Sequence, residues 1–371
     1  MRPATKHALL LAVVIGGALA AYANSFHAPF LLDNDEVILE DTRVHAATTE
    51  HVQQILTSQY WEIGNTGLYR PLTTLSFLLN YAEFGDGADP AGYHWVNFLL
   101  HALNIVLVYA LGLAVFERAP AALLLSALWG LHPVLTESVT SIVGRADMLA
   151  AFSVLAAVLC HRKALAARGA WKGWWVAAIG AAAAIGVFSK ESAIVLVAIL
   201  AIYDFTLGRS ASWRSRVPSY AAAVVPCLVY LYMRSQVFAG VSPAEMPYVE
   251  NPLLGAGFWT ARITAIKVMG RCLGLLTWPA RLSWDYSYNE VPLFGWRLDS
   301  WEDWKAVAAL AGCAAAAVVA IRSWRSRKPV LFGVAFFFAA ILPTSNLLIR
   351  IGTIMAERFL YLPSVGFAVA A

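Results

Sequence analysis

Long apolar runs recur from one end of this 371-residue chain to the other, and they constrain its fold more than any other feature. Each run is close to the length of about 17–25 residues that a helix needs to cross a bilayer. Within a run the apolar residues are continuous and do not alternate with polar ones, which predicts helices and not barrel strands. With 60% hydrophobic and only 13% charged residues, the sequence indicates an all-α integral membrane protein.

Lys and Arg in the short loops predict which side each loop faces, because these residues gather on the cytoplasmic side of a membrane. Arg2 and Lys6 put the N-terminus inside, and we interpret residues 8–23 as an uncleaved anchor because many further spans follow. Residues 27–93 then form a large first outer loop, in which the segment YRPLTTLSFLLNY is predicted to be an interfacial helix. Counting onward gives about ten crossings in total. The predicted spans after the anchor are 94–116, 119–131, 147–160, 174–188, 193–207, 220–233, 306–321, 330–342 and 359–371.

Residues 258–278 form an apolar run that this count does not fit. They carry Arg262, Lys267 and Arg271, and a single crossing here would put the next basic loop on the wrong side. We therefore interpret the run as a re-entrant or surface-lying helix, or as a pair of short crossings. The alanine-rich spans favour a bacterial inner membrane, with the outer loops facing the periplasm.

Cysteine spacing and the absence of familiar motifs exclude several classes of protein. Cys160, Cys227, Cys272 and Cys313 lie in or beside apolar segments without CxxC spacing, which argues against a disulfide framework and a zinc site. No GxGxxG, P-loop, HExxH or GxSxG motif occurs, so any sugar donor should arrive on a lipid and not on a nucleotide. The basic residues lie in short loops, and we expect no nucleic-acid partner. We expect no cofactor, and no divalent metal is indicated.

The acidic segment FLLDNDEVILED, residues 30–41, is the first candidate for chemistry. Carboxylates beside a membrane are costly unless they face water or a site. One of them would serve as a general base that takes a proton from an acceptor hydroxyl. The alternatives are a solvated acidic loop, or Asp35 and Glu36 at the start of an interfacial helix near Val37. The candidate catalytic residues are Asp35, Asp33 and Glu36.

The segment LHPVLTESVTSIVGRAD, residues 131–147, places four ionisable residues between two predicted spans. Such groups at a membrane edge are typical of functional sites. The alternative is a connecting loop in which Arg145 and Asp147 neutralise each other. The candidate substrate-binding residues of this segment are His132, Glu137, Arg145 and Asp147.

Three further segments put polar residues on the predicted outer face: SKES and AERFLYLPS at span ends, and WDYS in a loop. An arginine at the membrane edge can bind a phosphate through two hydrogen bonds. The alternatives are that Lys190 snorkels to water and that Arg358 pairs with its neighbour Glu357. The candidate substrate-binding residues here are Lys190, Glu191, Asp285, Arg350, Glu357 and Arg358.

Taken together, these motifs resemble those of the transmembrane and tetratricopeptide-repeat-containing proteins, a family of O-mannosyltransferases, and of their bacterial relatives. The matching pieces occur in family order and cover nearly the whole chain. The long motifs HPVLTESVTSIVGRAD and AERFLYLPS make the resemblance specific. The other matching pieces are FLLDNDEVILED, YRPLTTLSFLLNY, HWVNFLLHALNIVLVYAL, FSKES, NPLL, WDYS and PTSNLLIRIGTIM.

The resemblance implies a GT-C glycosyltransferase fold over residues 1–371, a multi-span helical bundle with its site on the outer face. It also implies an inverting hexosyltransferase that moves a sugar, mannose in the eukaryotic members, from a polyprenyl-phosphate donor to a Ser or Thr hydroxyl of an acceptor polypeptide. In such a mechanism Glu137 and His132 would orient the loop or the sugar. The residues expected to neutralise the donor phosphate are Arg358, Lys190, Arg145 and Arg350.

Two departures from the family pattern matter. The first loop reads Asp33-Asn34 where the family has paired acids, so the base is Asp35 or Asp33, and we favour Asp35. No self-similarity with a period of about 34 residues is visible, so we expect no tetratricopeptide repeats within this chain. The alternative functions are a transporter or flippase, and a non-enzymatic membrane scaffold. A transporter would need ionisable residues near the bilayer midplane, whereas these lie mostly at span ends.

Overall fold

The regular structure of this chain is helical, as the apolar runs predict. The computed structural model describes residues 3–62, 64, 67–208, 212–242, 248–297 and 299–371. In this part of the chain every regular element is a helix, which confirms the all-α prediction. Arg2, one of the two residues that predict an inside N-terminus, lies outside the described residues.

The α-helices of the described chain are accompanied by short turns of 3₁₀- or π-helix. The α-helices are α1 Pro3–Tyr22, α2 Thr49–Thr57, α3 Pro71–Leu78, α4 Pro90–Phe116, α5 Ala119–Gly130, α6 Thr136–Thr140, α7 Arg145–Ala166, α8 Gly169–Ser189, α9 Leu196–Thr206, α10 Trp213–Val237, α11 Phe258–Thr277, α12 Trp301–Ser323, α13 Lys328–Ile341 and α14 Pro363–Ala370. The short turns used below are Asp35–Leu39, Thr42–Val44, Ile142–Gly144, Glu191–Val195, Pro252–Leu254 and Glu357–Leu360.

Six helices of the described chain are long and apolar enough to cross a membrane. The number becomes seven if Ala119–Gly130 and Pro133–Thr140 form one broken span. The predicted count of about ten crossings is therefore not confirmed, because several predicted spans correspond to shorter helices. The six are Thr5–His27, Pro90–Phe116, Ile142–Ala166, Gly169–Ser189, Trp213–Val237 and Trp301–Ser323.

The first compact unit comprises Met1–His132 and Ser138–Ala244, and α7 lies at its centre. This helix packs against α4, α8 and α9, and 72% of the most apolar stretch of the span Ile142–Ala166 is buried. Close approach of α7 and α8 depends on small residues, since a Cβ added at Gly186 would lie 1.9 Å from Ser153 Oγ. Membrane helices commonly pack through such small residues.

The second compact unit comprises Pro133–Glu137 and Glu245–Ala371. Within it α11 packs on α12, and α13 packs on α14. The α13–α14 contact brings backbone against backbone, because a Cβ at Gly333 would lie 2.6 Å from the carbonyl oxygen of Gly366. Glycines therefore determine how closely these two helices approach.

Two sequence-based predictions about individual helices can be compared directly with the structure. The segment YRPLTTLSFLLNY does form a helix, α3, followed by a π-helical turn. The run at residues 258–278 forms the single continuous helix α11, so the alternative of two short crossings is wrong. That helix is not among those that are apolar enough to span, and its placement at or in the membrane surface stays a prediction.

Candidate active site

The acidic first loop is a packed structure. Its turn Asp35–Leu39 buries Val37 and Ile38, which join an apolar cluster with Phe77 and Tyr93. Between the two candidate bases, Asn34 is buried and its Oδ1 accepts a hydrogen bond of 3.0 Å from the backbone N–H of Val143. This contact ties the loop to the residues just before α7. The positions of the aspartates on either side of Asn34 are therefore fixed.

The carboxylates of this loop have different environments. Asp41 is fully buried and binds Arg43 through both oxygens, at 2.8 and 2.6 Å, so its role is structural. Asp33 and Asp35 are half-buried and form no hydrogen bond or ion pair with the side chains of the described residues. Glu36 is exposed, and the pKa of its carboxyl is raised by partial burial and then by the negative charges of Asp33 and Glu40. Asp33 and Asp35 remain the best candidates for a base.

The Arg145 guanidinium is entirely buried and is held by neutral acceptors. It donates to Asn97 Oδ1 at 2.9 Å, to Asn80 Oδ1 at 2.6 Å and to backbone oxygens of Ser76 and Tyr93. Among the described residues it forms no ion pair, and the proposed neutralising pair with Asp147 is not observed. Arg145 thus joins α3 and α4 to the start of α7. Its binding to a donor phosphate stays a prediction.

Two ion pairs lie side by side at the SKES segment. Lys190 is 3% exposed and donates to Asp147 at 2.6 Å, so it does not snorkel to water. Glu191 accepts two hydrogen bonds from Arg70, at 2.6 and 3.0 Å. The backbone is fixed here because Thr73 donates to the carbonyl of Ser189 at 2.8 Å. Three predicted site residues, Asp147, Lys190 and Glu191, therefore lie together.

Arg70 is a site residue that sequence reasoning missed. It immediately precedes α3, within the segment YRPLTTLSFLLNY, and a charged residue beside the aromatic Tyr69 was the available signal. Burial acts to lower the pKa of the Arg70 guanidinium, but the adjacent Glu191 carboxylate outweighs it and raises that pKa. Conversely, burial acts to raise the pKa of Glu191, and the Arg70 charge prevails and lowers it to about 2. The pair remains ionised over the physiological range.

In the second unit, Glu137 and Arg358 form a further ion pair. The sequence predicted both as site residues but did not predict that they pair. The buried Glu137 carboxylate accepts a hydrogen bond of 2.6 Å from the Arg358 guanidinium and one of 2.7 Å from its backbone N–H. Arg358 therefore does not pair with its neighbour Glu357, as the alternative interpretation had it. Its side chain is 24% exposed.

Glu357 instead organises the WDYS segment. Its Oε1 accepts hydrogen bonds from Tyr286 Oη at 2.6 Å and from the backbone N–H of Ser283 at 2.7 Å. Burial raises the pKa of the Glu357 carboxyl, and the bond from Tyr286 opposes that shift. Asp285 of the same segment accepts from the backbone N–H of Ser287 at 2.9 Å. Tyr286 and Ser283 were not predicted from the sequence.

The remaining candidates occupy more peripheral positions. Arg350 donates to the backbone oxygens of Leu253 and Leu254, each at 3.1 Å, and so holds the NPLL segment. His132 is half-buried at the end of the first unit's α5 loop. Among the residues that the structure describes, no group of three or more His, Cys, Asp or Glu side chains is arranged to hold a metal ion.

Comparison with known proteins places this arrangement in a family context. A family model described as dolichyl-phosphate-mannose-protein mannosyltransferase matches residues 82–232, which include Arg145, Asp147 and Lys190. Protein O-mannosyl-transferase TMTC4 of Homo sapiens is 29% identical over 96% of this chain and 54% of its own length. Tmtc1 of Drosophila melanogaster is 27% identical over 94% of this chain and 50% of its own length. Protein O-mannosyl-transferase TMTC3 of Homo sapiens is 25% identical over 97% of this chain and 41% of its own length.

This chain is related to the TMTC proteins. The similarity to TMTC proteins extends over nearly all of the chain. The chain spans about half the length of the TMTC relatives it matches. No solved structure matches it.

Proposed function

We propose that this protein is a membrane protein O-mannosyltransferase of GT-C type. It transfers mannose from a polyprenyl-phosphate donor to a Ser or Thr hydroxyl of a polypeptide on the outer, periplasmic face of a bacterial inner membrane. The observation that carries the proposal is the fixed first loop, in which Asp33 and Asp35 flank the anchored Asn34 and have no side-chain partner among the described residues. The similarity to proteins named O-mannosyl-transferases supports the reaction class.

In the proposed reaction a first-loop aspartate is the base. It takes the proton of the acceptor hydroxyl while the acceptor oxygen attacks the anomeric carbon of the sugar. The bond between that carbon and the phosphate oxygen breaks on the opposite side, so the configuration inverts and polyprenyl phosphate leaves. A half-buried carboxylate with no bound partner is available for this role, whereas Asp41 is occupied by Arg43.

Neutralisation of the leaving phosphate is the second requirement, because charge develops on it in the transition state. We propose Arg358 for this role, since its side chain is held by Glu137 yet remains partly exposed. Lys190 is a second candidate, although it is buried against Asp147. Arg145 and Arg350 are weaker candidates because they already donate to several oxygens of the protein.

The proposal is tested by measuring mannose transfer from synthetic polyprenyl-phosphate-mannose to a Ser/Thr peptide by the purified chain in lipid vesicles. Loss of the base should lower the rate about 10²–10⁴-fold, and we expect Asp35→Asn to show it. Asp33→Asn is measured beside it, and Glu50→Gln, an exposed carboxylate on α2, is the control. Wild-type rates in both aspartate variants would show that the base lies elsewhere. No transfer by the wild-type chain would contradict the proposed function itself.

A further inference from the structure

The buried hydroxyl of Tyr60 has no hydrogen-bond partner among the described residues. The residue is 4% exposed, and among the described residues nothing accepts a hydrogen bond from its Oη or donates one to it. Native proteins pair nearly all such groups, and an exception calls for an explanation such as a bound ligand. The sequence pattern gave no sign of this residue, since a lone tyrosine after a short helix is most often part of an apolar core.

The backbone around Tyr60 is held from both sides. Its N–H donates to the carbonyl of Leu68 at 2.8 Å, and its own carbonyl accepts from Arg43 Nη2 at 2.9 Å. Arg43 also donates to the carbonyl of Gln59 and to Ser58 Oγ, while its charge is balanced by Asp41. Arg43 is thus a positioning residue. These bonds fix the backbone from which the Tyr60 side chain projects.

The ring of Tyr60 lies beside a charged group of the candidate site. The guanidinium carbon of Arg70 lies 5.4 Å from the ring centroid, and the charges of Arg70, Asp33, Asp41 and Arg145 act on the phenol. Burial, only partly opposed by Arg70, raises the pKa of this phenol above its ordinary value. The group therefore stays protonated at neutral pH, and its O–H can donate a hydrogen bond to an anion.

We propose that Tyr60 Oη donates a hydrogen bond to a phosphate oxygen of the polyprenyl-phosphate donor, beside the Arg70 guanidinium that Glu191 holds in place. The assignment rests on the proposed function for the identity of the ligand. A phosphate suits this position because it offers an anionic acceptor to a neutral donor beside a cation. A sugar hydroxyl would present the same kind of oxygen without its charge.

Polyprenyl phosphate carries the phosphate but no sugar. Its binding therefore distinguishes a contact of Tyr60 with the phosphate from a contact with the sugar. The purified full chain in detergent is titrated and the quenching of its tryptophan fluorescence gives Kd. We expect Tyr60→Phe to weaken binding about tenfold or more, the equivalent of one hydrogen bond to a charged group. The matched control is Tyr232→Phe, which removes a hydroxyl from a tyrosine that is 66% exposed.

Each outcome decides the inference. Equal Kd values for wild type and Tyr60→Phe would overturn it, as would failure of the wild-type chain to bind polyprenyl phosphate. Weakened binding of polyprenyl-phosphate-mannose alone, with polyprenyl phosphate unaffected, would move the contact to the sugar and also overturn it. A large loss of thermal stability in Tyr60→Phe would reveal a structural partner and count against it. If the wild type binds but transfers no mannose, the phosphate contact stands and the proposed function fails.

Discussion

At the scale of single residues, the Arg70–Glu191 pair makes a specific prediction about pH. The Glu191 carboxyl has its pKa lowered from 4.5 to about 2 in the folded chain, chiefly by Arg70 acting against burial. A carboxyl with a lowered folded pKa stabilises the fold above its unfolded pKa, and that contribution is lost as pH falls through the folded value. We therefore expect Glu191→Gln to remove part of the loss of stability that the wild type shows between pH 4.5 and about 2.

The measurement is the melting temperature of both proteins in detergent at intervals across that range. Because the Glu191 side chain is 41% exposed, water screens the pair and the difference should be modest. The control is Glu290→Gln, which removes a more exposed carboxylate paired with Arg271. If melting temperature falls with pH in the same way for the wild type and Glu191→Gln, the lowered pKa of Glu191 is contradicted.

Which charges pair could not be read from the sequence, although the candidate residues themselves could. Neighbours along the chain suggested pairs between Arg145 and Asp147 and between Glu357 and Arg358. Residues one or two apart on a helix do not face each other, so these pairs do not form. The actual partners are distant in sequence. Lys190 binds Asp147, 43 residues away, and Arg358 binds Glu137, 221 residues away.

At the scale of elements, apolar runs predicted most of the helices but not their lengths, which are shorter than predicted for some and longer for others. The run at 147–160 belongs to α7, which begins at Arg145 and continues to Ala166. The polar residues at both ends of α7 lie outside the apolar run, so hydropathy does not include them in the helix. They can be buried because other buried side chains bind them, as Asp204 binds His161. The short turns that carry Asp35, Glu191 and Glu357 lack any periodic signal, and only the fold positions them.

Helix packing yields a second prediction, on the contact between α7 and α8. Gly186→Ala would place a methyl group 1.9 Å from Ser153 Oγ, so the helices must separate or the serine must shift. Overpacking of this kind costs about 1–3 kcal/mol. Gly173→Ala on the same helix meets nothing within 4 Å and should be neutral or slightly stabilising. Thermal unfolding of both variants in detergent tests the contrast, and equal melting temperatures would rule out the close contact.

At the scale of the whole molecule, the side of the membrane that each loop faces is a prediction from charge alone. It places the first loop outside and the basic loop between α7 and α8 inside. After removal of the four native cysteines, we expect Glu50→Cys to react with a membrane-impermeant maleimide on intact cells. Arg168→Cys, exposed in the basic loop, should react only after the membrane is permeabilised. The reverse pattern would show that the orientation is wrong.

The burial of Arg145 has a consequence for how this protein responds to ionic strength. Arginine remains protonated in proteins, and here the guanidinium has no contact with solvent and no ion pair among the described residues. Dissolved salt screens exposed charges beyond about 10 Å at 0.1 M but screens buried charges much less. The attraction between Arg145 and its buried aromatic neighbours, the rings of Phe77 at 4.9 Å and Tyr93 at 5.9 Å, should therefore be nearly the same at low and at high salt concentration.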